Sequence, residues 1–293
     1  GSDLHVLSFD FEEWFHVFGR NPLLQRHHWD DLPVMLPRIT HSILEMLERH
    51  QATATFFCLG WVASRYPQLI RAIASAGHEV AAHSYWHEQV HRQQLTDFRD
   101  DLFRNIGELE SITGKKVVSY RAPAFTLFPV SGHAVDLLLE AGIRVDSSVM
   151  SGMRYNGIKL PNRPFTIGPA GSALVYYPVS TFPLLFHRIP YAGSGYFRLL
   201  PFSFVKRNLS QPGYHMLYFH PRDLDDRLHE VKEFNLYERL RFLPGTGESM
   251  VKFRHLLAMF NMSSIISSLI SENKILMLPL SDEVNNLTNN KIR

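Results

Sequence analysis

Ser8-Phe9-Asp10-Phe11-Glu12-Glu13 ends an apolar run that begins at Leu4. Aliphatic and aromatic residues dominate that run, so it reads as a buried strand. Strand side chains alternate between faces. Asp10 and Glu12 therefore project together, while Phe9, Phe11 and Glu13 face the other way. Two carboxylates on one face at the end of a buried strand repel each other unless a cation or a proton sits between them. A bound metal is the obvious answer; a polar strand end that merely caps the next loop is the bland one. Partners elsewhere in the chain have to decide.

Outward from this strand, residues 14–31 carry Trp14, Phe15, His16, Phe18, His27, His28 and Trp29 without a helical or strand period. Such a loop serves as a lid, a binding wall or an aromatic plug for a barrel end. Helical spacing follows over 33–50, a buried strand over 52–60, a helix over 61–76 stopped by Gly77, and a strand over 78–83. A helix over 96–114 is expected to start on a Thr96-Asp97 cap. A strand over 117–123, a helix over 131–141 and a strand over 144–149 complete the series. Strands alternating with helices, without hairpin turns, predict parallel strands joined by crossover helices. Past Met150 the rhythm breaks. Residues 151–202 are predicted to be an irregular insertion with a hairpin, including a strand-like run at 173–179. A short helix over 202–209, an apolar strand over 214–220, a polar loop-rich stretch over 222–247, helices over 249–259 and 263–270 and a last strand over 274–278 follow. The fold class expected is α/β, a distorted and incomplete (β/α) barrel of about seven parallel strands with a helical C-terminal extension.

With 293 residues, 45% of them hydrophobic, the chain can bury a sizeable core. One domain over 1–280 is expected, including the insertion and a C-terminal elaboration over 222–280, with a polar tail over 281–293. A net charge of +2 and the absence of any basic run point away from nucleic acid. Cys58 is the one cysteine, set in the apolar run Thr55-Phe56-Phe57-Cys58-Leu59, so it reads as a buried structural thiol and no intrachain disulfide exists. No apolar stretch of ~18 residues marks an integral membrane segment. No cleavable signal is visible, and the cytoplasm is the default expectation.

His83-Ser84-Tyr85-Trp86-His87 follows directly on the third strand. Histidines at i and i+4 share one face wherever the backbone makes a helical turn, so both imidazoles reach one ion. With Glu12 they form a His, His, carboxylate set, the ligand number of a catalytic zinc site that keeps one position open. Cobalt, nickel and iron accept the same donors. Among 16 histidines such a pair arises cheaply. His87 and His91 form another, and His16, His27 and His28 compete as ligands. Arg121, Asp146 and His220 each sit just beyond an apolar strand. Singly, each has an ordinary structural reading as a surface pair, a turn cap or a core histidine. Jointly they put polar chemistry at five strand ends, the face on which barrels do chemistry.

These residues carry a family resemblance. The set resembles the polysaccharide deacetylases of the NodB-homology type (carbohydrate esterase family 4) over about Leu4 to Pro221. The resemblance implies a distorted (β/α) barrel and a divalent metal, with zinc expected and cobalt or nickel as alternatives. It implies Asp10 as catalytic base, His83 and His87 as the HxxxH metal pair, Arg121-Ala122-Pro123 as the RxP motif, Asp146 as the fourth-motif aspartate and His220 as the final-motif histidine. Departures are visible: Phe11 stands where the commonest first motif has a metal-binding aspartate, so Glu12 inherits that role, as in a subgroup with Asp-x-Glu spacing. Ala124 and Phe125 replace the RxPY tyrosine, and no tryptophan follows Asp146. The wording of 10–15, Gly195-Tyr196-Phe197-Arg198 and Lys252-Phe253-Arg254-His255 resembles deacetylases encoded with bacterial exopolysaccharide genes.

The implied activity is hydrolysis of an N-acetyl group on an amino sugar of a poly- or oligosaccharide. In that scheme the ion is held by Glu12, His83 and His87, and Asp10 takes a proton from water. His220 protonates the leaving nitrogen, Arg121 holds Asp10 ionised, and Asp146 positions His220. A backbone N–H near Tyr85 or Trp86 is expected to help hold the oxyanion. The competing expectations are a metal amidase acting on a small non-sugar amide and a carbohydrate-binding relative without catalysis.

Overall fold

The computed structural model describes residues 3–127, 132–155, 158–167, 174–185, 187–271 and 276–278. Its first half runs β1 (Leu4–Phe11), α1 (Leu36–Arg49), β2 (Thr55–Cys58), α2 (Gly60–Arg65), α3 (Pro67–Ser75), β3 (Glu79–Ala82), α4 (Leu95–Thr113), β4 (Ser119–Tyr120), α5 (Gly132–Glu140) and β5 (Val145–Asp146). The second half holds the short pair β6 (Arg154–Tyr155) and β7 (Ile158–Lys159), then β8 (Phe165–Ile167) and β9 (Val175–Tyr176). A second short pair, β10 (Phe182–Leu184) and β11 (His187–Ile189), leads to α6 (Ser194–Leu199), α7 (Phe202–Leu209) and β12 (Tyr214–Phe219). The order closes with α8 (Leu236–Phe242), α9 (Thr246–Met259), β13 (Met262–Ser263), α10 (Ile265–Ser271) and β14 (Leu276–Leu278).

One curled sheet has the order β12-β1-β2-β3-β4-β5-β9-β8-β14, with β13 pairing the start of β1 ahead of the first residue of β2. From β12 to β9 every neighbouring pair is parallel, which is the expected incomplete barrel of seven parallel strands. Only β8 runs antiparallel to its neighbour β9. The segment after β9 reaches towards β12: the Ser180 N–H donates to Met216 O at 3.2 Å and the Met216 N–H donates to Ser180 Oγ at 2.8 Å. β1 is central and buried on both faces, as the strands of covered parallel sheets are. Alternate residues enter different cores. Leu7, Phe9 and Phe11 pack with the helices in the larger cluster, whereas Val6 joins Phe57, Ala81, Val145, Tyr177 and Met216 inside the curl. Asp10 and Glu12 share the parity of Val6, so they emerge at the C-terminal mouth of that inner face.

Several elements differ from the sequence reading. The helix expected over 61–76 is two helices, because Pro67 has no N–H to donate and forces Tyr66 out of the helical region (φ −129°, ψ 57°). α4 starts at Leu95, and Thr96-Asp97 lies inside its first turn without capping it; the acid there still favours the helix dipole. Gly114 ends α4 in the left-handed region (φ 66°), a conformation glycine adopts without a Cβ penalty. The stretch read as loop-rich contains α8, opened by a reciprocal capping box between Asn235 and Glu238. The insertion contributes β8 and β9 to the main sheet as well as the hairpin β10/β11. Residues 131, 173 and 274–275, at the edges of three expected elements, and the expected tail over 281–293 lie outside the described residues.

Candidate active site

Arg121, at the end of β4, is wholly buried (0% exposed) yet makes four hydrogen bonds. Nη1 donates to Asp10 Oδ1 at 2.7 Å, Nη2 to Ser8 Oγ at 3.0 Å and Ser147 Oγ at 2.8 Å, and Nε to Ser147 O at 3.1 Å. The guanidinium also covers the Phe57 ring at 4.1 Å. Burial pushes the Asp10 carboxyl up, but Arg121, His83 and His220 together outweigh it and hold Asp10 below its ordinary range. Asp10 is therefore a carboxylate, with Oδ2 3.8 Å from both His83 Nε2 and His220 Nε2.

The two motif histidines come from a turn, and it is not the helical turn the spacing suggested. β3 stops at Ala82, and Ser84 (φ 69°) and His87 (φ 58°) both take left-handed backbone. The turn is gripped from α4: Asn105 Oδ1 accepts the His83 N–H at 2.9 Å, and the Asp101 carboxylate accepts the Tyr85 and Trp86 N–H groups at 2.9 and 3.0 Å. Those two amides are thereby spent on Asp101, which removes them as the expected oxyanion donors. Gly60 packs under the same turn so closely that a Cβ would meet Tyr85 at 2.3 Å. His83 Nδ1 donates to the Arg121 carbonyl at 2.7 Å, which leaves the Nε2 lone pair facing the site. Burial holds His83 below its ordinary range, although Asp10 and Glu12 pull it back up.

Donor atoms of Glu12, His83 and His87 lie within 4.8 Å of one another. Glu12 Oε1 accepts from Arg222 Nη1 at 2.7 Å. Its Oε2 sits 2.7 Å from His87 Nε2 and 3.8 Å from His83 Nε2. Burial raises Glu12, but His87 and Arg222 overcome this and hold it well below the carboxylate range. An anionic buried oxygen facing two imidazole nitrogens fits a divalent cation. Glu13 takes no part. Its carboxylate accepts the Met35 and Leu36 N–H groups at the start of α1, and burial pushes it up to about 7.

His220 ends β12 with Nδ1 3.1 Å from Asp223 Oδ2 and 3.3 Å from Ser194 Oγ. Asp223 also accepts the His220 N–H at 2.8 Å and is paired with Arg198 Nε at 3.3 Å. Despite burial, His220, Arg198 and Arg222 hold Asp223 down at about 2. Asp146 was expected in this role. Its oxygens are instead taken by Ser148 N (3.0 Å) and Ser148 Oγ (2.6 Å), and burial raises it to about 7. Ser148 Oγ accepts the Ala122 N–H at 2.8 Å, so Asp146 steadies the strand end that carries Arg121.

Asp10, Glu12, His87 and His220 open on a cleft of about 370 Å³ whose walls include Phe18, Phe125, Tyr196, Tyr218 and Phe242. Of the aromatic loop, Trp14, Phe15 and Trp29 are buried in the core, whereas Phe18 (39% exposed) reaches the cleft. His27 and His28 lie away from it. Sequence reasoning missed Asp101, Asn105, Arg198, Arg222 and Asp223. Only His220-Pro221-Arg222-Asp223 carried a signal, an acid three residues after a strand-end histidine that closes a capping box.

Fold and site together define an incomplete parallel barrel with a carboxylate–imidazole cluster able to hold a cation, beside an ionised Asp10 at the strand C-termini. Residues 27–145 match the polysaccharide deacetylase family, and the chain carries that domain, of the NodB/CE4 type. Residues 147–269 match a domain of unknown function, DUF3473. Its strands complete the same sheet, and it brings His220 and Arg222 to the cleft, with Asp223 against His220 Nδ1. A peptidoglycan deacetylase from Helicobacter pylori is 29% identical over 117 residues, 40% of this chain and 38% of the relative. The peptidoglycan-N-acetylmuramic acid deacetylase PdaA of Bacillus subtilis is 32% identical over 89 residues, 30% of this chain and 34% of the relative. The chain thus spans little more than a third of the length of either. A solved structure from Mycobacterium smegmatis, assigned to the polysaccharide deacetylases, shares the fold with a TM-score of 0.63 at 24% identity, covering 96% of this chain and 95% of the other.

Proposed function

We propose that the protein is a metal-dependent hydrolase that removes N-acetyl groups from an amino sugar in a poly- or oligosaccharide and releases acetate. The observation that carries this reading is the buried Glu12 Oε2, 2.7 Å from His87 Nε2 and 3.8 Å from His83 Nε2, next to an ionised Asp10. A divalent ion held by Glu12, His83 and His87, with zinc expected and cobalt or nickel as alternatives, supplies Lewis acidity, polarising a carbonyl and lowering the pKa of water from 15.7 towards ~7.

The chain's own residues do the rest. Asp10, kept anionic by Arg121, accepts a proton from the attacking water as its oxygen adds to the acyl carbon. Asp223 grips His220 through Nδ1, so Nε2 is the nitrogen left to face the cleft. From there it donates a proton to the departing nitrogen as the C–N bond breaks, a contribution of roughly a hundred- to ten-thousandfold. The part-exposed Tyr196 and Phe18, the latter stacked on His87, supply aromatic walls for a pyranose. The wording of 195–198 and 252–255 supports an exopolysaccharide as the polymer.

The test is acetate release from N-acetylglucosamine oligomers by zinc-, cobalt- and nickel-loaded protein, with Asp10→Asn and His220→Ala as controls. Acetate from the parent and a drop of at least about a hundredfold in both variants, with the metal retained, supports the reading. Ammonia released from small amides, with no acetate from any sugar, sinks it in favour of the amidase. Protein that takes up no metal is a carbohydrate-binding relative.

A further inference from the structure

His16 belongs to the aromatic loop, and nothing in the mechanism above uses it. The Glu13 N–H donates to His16 Nδ1 at 3.0 Å. A ring nitrogen that accepts carries no proton, so the imidazole is neutral and its single proton is on Nε2. Phe15, Trp29 and Trp61 box the ring edge-on at 4.7, 4.3 and 5.2 Å, which fixes its plane. The side chain is 1% exposed, it borders the catalytic cleft, and its centroid is 6.2 Å from that of His87. Nε2 is buried and has no hydrogen-bond partner among the described residues.

A buried N–H without an acceptor is destabilising, so such a group calls for an acceptor that arrives in the working state. Of the other buried polar atoms at this cleft, Glu12 Oε2 faces His87 and His83 in the cation site, and Arg222, whose Nε is also without a partner among the described residues, is anchored through Nη1 to Glu12 Oε1. His16 is not a further ligand of that site. Binding through Nε2 would move its proton to Nδ1 and break the bond from Glu13, and its nitrogen is not among the clustered donor atoms. Meanwhile the Tyr85 and Trp86 amides are held by Asp101.

We propose that His16 is a catalytic residue whose Nε2–H donates a hydrogen bond to the acyl oxygen of the amide and to the oxyanion that develops there. It moves no proton, and the neutral, rigidly boxed ring offers a preorganised donor. The inference rests on the amide-hydrolysis reading of the site.

Two measurements test it. Imidazole nitrogen NMR of the zinc-loaded parent protein should show Nε2 protonated and Nδ1 bare, with the Nε2–H proton moving downfield when acetohydroxamate, a small acyl-oxygen probe, is added. A proton on Nδ1, or an Nε2–H indifferent to the probe, overturns the proposal whatever the substrate is. His16→Gln and His16→Ala should keep zinc affinity by calorimetry and lower kcat on N-acetylglucosamine oligomers roughly a hundred- to a thousandfold in the Ala variant, with KM little changed and part of the rate restored in Gln. Loss of zinc by His16→Gln makes it a ligand and also overturns the proposal. If the parent releases no acetate from any sugar, the proposed function fails, while the NMR result still decides the role of His16.

Discussion

Replacing Arg121 with Met removes the charge that keeps Asp10 ionised and leaves a near-isosteric apolar stem. Both side chains are buried (0% and 5% exposed), and four hydrogen bonds leave with the guanidinium. Removing one partner of a buried pair destabilises by about 3–5 kcal/mol, because the other charge stays buried without compensation. The sign of the pH dependence also reverses. In the parent, Asp10 lies below its ordinary value of 3.8, so its contribution is present above about pH 4 and lost as pH falls through the folded pKa. In the variant, burial wins and the folded pKa rises above the unfolded one, so stability falls as pH rises from about 4. Urea unfolding of metal-free protein in chelator, at several values between pH 4.5 and 7.5, reads both effects. Adding Asp10→Asn to Arg121→Met should recover at least about half of the loss, since no buried charge then remains. A single-variant loss below about 1 kcal/mol, as for an exposed pair, with no change in pH slope, would refute the claim that Arg121 sets the charge of Asp10.

Asp101→Ala frees the Tyr85 and Trp86 amides and loosens the turn that aims both histidines. Zinc affinity should fall about ten- to a hundredfold with the fold intact by circular dichroism, and unchanged affinity would count against the grip. Asp223→Asn should lower turnover by about tenfold or more without loss of metal, and a fully active variant would remove Asp223 as the anchor of His220. Asp146 is held at about 7 by burial, so the folded state binds more protons than the unfolded chain between about pH 4 and 7 and stability falls as pH rises through that window. Asp146→Asn should flatten that slope by up to about 4 kcal/mol, and an unchanged slope places the titration elsewhere.

Local pattern sufficed for the scaffold. The alternation in Leu4–Phe11 put Asp10 and Glu12 on one face, and helical spacing punctuated by Gly77, Gly114 and Gly142 announced crossover helices between parallel strands. These are short-range signals, set by strand pleat, helix period and glycine's tolerance of positive φ. The strand-end positions of His83, His87, Arg121 and His220 followed from the same segmentation. The tyrosine missing after Pro123 and the Asp-x-Glu spacing were likewise plain in the letters.

What the letters alone left open depends on contacts between residues far apart in the chain. Asp146 and Asp223 each have a partner close by in the chain, Ser148 and His220, but only folding sets Ser148 against the Ala122 amide and Arg198 against Asp223. Asp101 and Asn105 sit on the buried face of an ordinary amphipathic helix, and become anchors because α4 packs across the 83–87 turn. Nothing in the letters names a partner for Arg198 or Arg222, and folding buries each against a carboxylate. Glu12 and Glu13 are adjacent and chemically alike. The sequence separates their faces, but only the tertiary structure directs one to a cation site and the other to the start of α1, because a carboxylate's role is set by the donors folding brings to it.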